Sequence, residues 1–82
     1  MKLIIVTPQG KHEYTIEWIE AYTPTGHLFI RPGHAPIILT LLAGSDFSFL
    51  LMNDEKKIIR LTRPGFLEVK REHALALLSQ EL

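Results

Sequence analysis

Histidines at positions 12, 27, 34 and 73 are the side chains best suited to hold a metal or move a proton near neutral pH. Their spacing matches no metal-ligand pattern, and each falls in or beside a turn, where a solvated imidazole is ordinary. Ser45, Ser48 and Ser79 lack the surrounding sequence of a nucleophile elbow. Glycines at 10, 26, 33, 44 and 65 are dispersed, whereas a phosphate-cradling loop needs them clustered ahead of a helix with a lysine close by. Glu13, Glu17 and Glu20 read as the polar face of a strand rather than a general acid/base pair. Asp54-Glu55-Lys56-Lys57 reads as a charged hairpin tip that discourages edge pairing. No catalytic, metal or nucleotide site and no cofactor is expected from these groups.

The elements that carry them belong to one small domain, residues 1–82, since 82 residues are too few for two cores. With 46% hydrophobic and 22% charged residues the chain has the material for a core. Nine Lys+Arg balance nine Asp+Glu, which argues against a nucleic-acid partner. There is no cysteine, hence neither a disulfide nor a thiolate metal site, and a domain of this size gains from a partner surface. Leu3-Ile4-Ile5-Val6 is too short for a signal h-region, and no apolar stretch approaches the roughly 20 residues of a membrane-spanning helix.

Turn chemistry recurs at Thr7–Gly10, Thr23–Gly26, Arg31–Gly33, Asn53–Glu55 and Arg63–Gly65, cutting the apolar material into short pieces. The spacing predicts strands at 2–6, 12–22, 27–30, 36–42, 46–52, 56–62, 65–70 and 74–79, with Asn53-Asp54-Glu55 closing a hairpin. The fold class is all-β, a small antiparallel β-sandwich of eight to about ten short strands. Tyr14, Ile16 and Trp18 alternate with Glu13, Thr15 and Glu17, as do Phe47 and Phe49 with Asp46 and Ser48, so each set is expected to turn one face inward. Ile37-Ile38-Leu39-Thr40-Leu41-Leu42 breaks the alternation and is expected to be buried on both faces; the other reading is an outer face that meets another protein. Ala74-Leu75-Ala76-Leu77-Leu78 is expected to be a final strand, being too short for a free-standing helix.

The segment with the most conformational constraint is Gly26-His27-Leu28-Phe29-Ile30-Arg31-Pro32-Gly33-His34-Ala35-Pro36, a short strand entering a Pro-Gly turn between further prolines. It resembles the Gly-x-x-Gly-x-x-Pro-Gly-His-Ala-Pro stretch of the epsilon subunit of F-type ATP synthases, matching outright at Pro32-Gly33-His34-Ala35-Pro36. Val6-Thr7-Pro8-Gln9-Gly10 resembles that family's opening strand and turn, and Gly65-Phe66-Leu67-Glu68-Val69 its Gly-Gly-Phe-Leu-Glu-Val segment, in the same order.

The resemblance implies a sandwich of about ten strands in a non-catalytic central-stalk subunit. Such a subunit docks on the gamma subunit, sits on the c-subunit ring and couples their rotation to ATP synthesis in a proton- or sodium-translocating enzyme. It places the chain peripherally on the cytoplasmic face of a bacterial inner membrane. Carried over by position, Thr7, His34, Ile38 and Leu39 are expected at gamma, and His27, Leu28 and Arg31 at the ring. The sequence departs from the family where His27 and Phe29 replace an acidic residue and a second glycine, and where Arg63-Pro64 replaces a small Ser-Gly pair. It also stops at Leu82, where the family continues into a helical hairpin that binds ATP in some members; nucleotide binding is expected to be absent. The rival reading is a free-standing β-sandwich ligand-binding module, which needs a concave pocket with convergent polar groups.

Overall fold

Extended runs between the turn residues form eight strands and no helix in the computed structural model, which describes residues 1–82. They are β1 (Lys2–Thr7), β2 (Gly10–Thr23), β3 (Gly26–Ile30), β4 (Ile37–Leu41), β5 (Asp46–Leu51), β6 (Lys56–Arg60), β7 (Gly65–Val69) and β8 (His73–Leu77). The expected strands are all present with ends shifted by a few residues at most, and the closing segment is a strand.

The pairing order is β4-β7-β8-β1-β2-β5-β6, with β3 also on β2. Every pairing is antiparallel except β1 with β8. One layer holds β4, β7, β8, β1 and the first half of β2; the other holds the second half of β2 with β3, β5 and β6. The 14-residue β2 therefore belongs to both layers. The segment stays one continuous strand that bends.

The bend is a β-bulge. Ile16 pairs with Leu51 and Trp18 with Leu50, so Glu17 is an extra residue on β2. Because side chains alternate with period two, one extra residue exchanges the faces of everything after it. Tyr14 and Ile16 turn toward the core, but beyond the bulge Ile19 and Ala21 do so instead. Trp18, expected inward with Tyr14 and Ile16, is thereby moved to the outer face, where its ring lies 4.9 Å from that of Phe29.

The core between the layers comprises 15 buried residues, with Leu3, Ile5, Leu41, Leu67 and Val69 from one layer and Ile16, Ile19, Ile30, Phe47 and Phe49 from the other as its larger members. Phe47 and Phe49 face inward as their alternation implies, Phe49 lying 5.0 Å from Tyr14 between ring centroids. The β5–β6 hairpin closes at the expected residues, with Asp54 at φ 67° and the Leu51 and Asp54 amides donating to the Glu55 and Leu51 carbonyls.

Gly65 opens β7 hard against the end of the neighbouring strand β8. A Cβ there would lie 2.8 Å from Leu78 Cδ2 and 3.0 Å from the Leu77 carbonyl oxygen. Leu78 can turn aside but the backbone carbonyl cannot, so Gly65→Ala is expected to cost about 1–3 kcal/mol, read as a lower urea midpoint at unchanged slope.

Candidate functional site

The outer faces of the two layers differ in chemistry. On the β2-β3-β5-β6 layer, the exposed Tyr22, Phe29 and Ile58 are interspersed with charged groups, most of which pair with one another. Glu20 sits 2.8 Å from His27 Nε2 and 4.0 Å from Lys56 Nζ and accepts a hydrogen bond from the buried Ser48 hydroxyl; Asp46 pairs with Arg60 at 3.2 Å. The aromatic rings there carry cations, with Arg31 4.9 Å above Phe29 and Lys56 5.7 Å above Trp18.

The outer face of the β4-β7-β8-β1 layer is apolar at its centre. Register places Ile38, Glu68, Leu75 and Ile4 side by side across four strands, and Thr40, Phe66, Leu77 and Val6 in the next row. Ile38 is 72% exposed, Phe66 55% and Leu77 45%, while Leu75, Ile4 and Val6 are half-buried. Between Ile38, Phe66, Leu75 and Leu77 lies a shallow hollow of about 280 Å³. Large apolar side chains gathered in this way on one face mark a protein-interaction surface.

β4 is the edge strand of this face, paired only with β7. The expectation that Ile37–Leu42 is buried on both faces is therefore corrected: Ile37, Leu39 and Leu41 turn toward the core, whereas Ile38, Thr40 and Leu42 are exposed. The apolar run reflects one face packed on the domain and one left open, which is the other reading that the broken alternation allowed.

The loop from β3 to β4 is held by main-chain contacts. Gly33, at φ 85°, donates its amide to the Arg71 carbonyl at 2.8 Å, and the His34 amide donates to the Arg31 carbonyl at 3.1 Å. The His34 ring contributes as well, Nδ1 donating to the Ala35 carbonyl at 2.6 Å and leaving Nε2 without a protein partner. His34→Ala is expected to lower the stability of the free chain by about 1 kcal/mol or less in a thermal melt, because the lost hydrogen bond is solvent-exposed.

The residues singled out from the sequence do not form one cluster. Ile38 stands on the apolar face, but its neighbour Leu39 points inward against the core. Thr7 is 7% exposed, and its hydroxyl is engaged in the β1–β2 turn, donating to the Gly10 carbonyl and accepting from the Gln9 amide, both at 3.3 Å. It lies at the opposite end of the layer from His34: Leu3, Ala74, Val69 and Ile37 are in register at the His34 end, and Thr7 is four residues further along β1. His27 within β3 and Arg31 just after it lie on the outer face of the second layer, whereas Leu28 between them packs against the core.

Phe66, Leu75, Leu77, Ile4 and Val6, the rest of the apolar face, were not anticipated as contacts. Their signal was present in Leu3-Ile4-Ile5-Val6, Phe66-Leu67 and Ala74-Leu75-Ala76-Leu77, where apolar residues at consecutive positions fall on both faces. In β8 the small alanines face the core and the leucines face out.

The family model for the beta-sandwich domain of the ATP synthase delta/epsilon chain matches residues 1–80. The chain belongs to this family. Among solved structures, a chain of the Euglena gracilis mitochondrial ATP synthase, from its OSCP/F1/c-ring assembly, superimposes with a TM-score of 0.83 at 14% identity, over 98% of this chain and 51% of the other. A chain of the Tetrahymena thermophila mitochondrial ATP synthase central stalk and c-ring gives 0.71 at 17% identity, over 98% and 63%. At these identities the likeness is one of fold, and this delta/epsilon-type domain spans about half to two thirds of the length of those chains. No curated protein matches it by sequence.

Proposed function

We propose that this delta/epsilon-family chain is a non-catalytic central-stalk subunit of an F-type ATP synthase, peripheral at the cytoplasmic face of a bacterial inner membrane, and that it couples rotation of gamma and the c-ring to ATP synthesis. The observation that carries the reading is the open apolar face around Ile38, Phe66 and Leu77 on a domain that matches the family over residues 1–80.

That face is the gamma contact. It has the composition of an interface core, with Ile38, Phe66, Leu75 and Leu77 gathered around Glu68 and with Lys2, Lys11, Glu13 and Lys70 around the margin. Ile38 carries the contact among the four residues first assigned to gamma, and His34 lies on the loop that leads into β4. Thr7 and Leu39 support the surface from beneath rather than touching a partner. At the ring, His27 beside the β2–β3 turn and Arg31 at the other end of β3 are the contacts, Leu28 being turned inward. The subunit's work is mechanical: a domain tied by backbone pairing across both layers transmits torque through its shape, with no chemical step of its own.

The test is retention. A tagged chain expressed in its own organism should co-purify from detergent-solubilised membranes with gamma and the c-ring in stoichiometric amount. Recovery of the tagged chain alone, from membranes whose ATP synthase is intact, contradicts the assignment.

A further inference from the structure

Glu68 is the one charged residue in the middle of the apolar face. It is half-buried, stands directly between Ile38 of β4 and Leu75 of β8, and follows Phe66 on the same face of β7. Most other carboxylates of the sheets have cationic neighbours: Glu13 with Lys2 and Lys11, Glu20 with His27 and Lys56, Asp46 with Arg60. Glu68 makes no ion pair within 4.0 Å and no side-chain hydrogen bond, although it lines a second, adjoining hollow together with Lys70 and His73.

In the open domain this is harmless, because water reaches the carboxylate. A partner that seats on Ile38, Phe66 and Leu75 removes that water. A carboxylate covered by apolar groups without a counter-charge is strongly unfavourable, whereas one that meets a guanidinium or ammonium and hydrogen-bonds to it is not. The face thus discriminates among apolar partners by charge: it rejects one that is apolar throughout and accepts one with a cation in the right place.

We infer that Glu68 is the specificity determinant of this face and that the partner surface is an apolar patch bearing a single arginine or lysine seated on the Glu68 carboxylate. The inference rests on the gamma-docking reading and adds the chemistry that the gamma surface must present.

The test measures binding of purified gamma to the purified full chain and to its Glu68→Gln and Glu68→Lys variants, alongside a scan in which surface arginines and lysines of gamma are changed one at a time to glutamate. Glu68→Gln keeps shape and removes charge; it is expected to weaken binding about thirtyfold or more, with Glu68→Lys weaker still, because each leaves the partner's cation covered and unpaired. One substitution in gamma should abolish binding of the unchanged chain and restore binding of Glu68→Lys. Melting curves of the free variants, expected to overlay that of the unchanged chain within a few degrees, separate lost contact from lost fold. Should either variant unfold, the gamma scan against the unchanged chain still decides. Gamma that binds the unchanged chain and Glu68→Gln within about threefold, or a scan in which no basic residue matters, overturns the cation pairing and leaves docking on this face intact. Gamma that fails to bind the unchanged chain at all overturns the docking reading, and the pairing with it.

Discussion

Ile38→Glu is expected to release the chain from gamma, weakening binding a hundredfold or more, about 3 kcal/mol, while its melting temperature stays within a few degrees. Ile38 is 72% exposed and contributes little to the fold. In the complex, a carboxylate at 38 would be desolvated beside Glu68, its direct cross-strand neighbour, which adds repulsion to the desolvation cost. The control is one residue away. Leu39 packs against the core, so Leu39→Glu buries a charge and should unfold the domain. Circular dichroism of the two free variants distinguishes them before any partner is added. A normal affinity for Ile38→Glu would move the interface to another face.

Phe49→Ala is expected to remove a large part of the stability of the domain. Phe49 is 1% exposed and lies against both Tyr14 and Phe47, at centroid distances of 5.0 and 6.0 Å. Truncating a buried phenylalanine costs about 3–5 kcal/mol. A domain of this size has on the order of 4–12 kcal/mol in total. The corresponding fall in melting temperature is about 15 °C or more, measurable by calorimetry. Met52→Ala, at a residue 57% exposed, should leave the melt where it was. A Phe49→Ala variant that melts like the unchanged chain would mean that the layers do not meet at this residue.

Both expectations depend on which way individual side chains point, and that part of the structure was only partly legible in the sequence. Strand positions were legible, because Pro, Gly and Asn-Asp-Glu turns punctuate the chain and a turn is set by local chemistry. The inward direction of Phe47 and Phe49 followed from simple alternation. The outward direction of Trp18 did not: the bulge at Glu17 depends on how β2 meets β5, whose partner residues lie more than thirty positions away in sequence. Ile37–Leu42 shows a second limit. A run of consecutive apolar residues reports that both faces avoid water, but does not say whether the second face is covered by the same chain or by another. Here the edge position of β4 resolves it in favour of the open face.

The candidate site divides along the same line. The Pro-Gly-His segment was readable because its residue types constrain the backbone directly, and Gly33 adopts the positive φ that such a turn requires. That Thr7 and His34 stand at opposite ends of a layer was not readable, since the register that separates them arises from the parallel β1–β8 pairing. Glu68 was seen only as part of a motif. Its meaning depends on Ile38 and Leu75, brought to either side of it by pairing with β4 and β8.

The most direct test of the account is a photocross-link from position 38. The chain, carrying a photoreactive phenylalanine analogue in place of Ile38, would be expressed in its own organism, irradiated in intact membranes and analysed by mass spectrometry. The account predicts that the principal adduct is with the gamma subunit of the ATP synthase. Adducts only with other proteins, or none with gamma although the chain is present and the ATP synthase assembled, would contradict it.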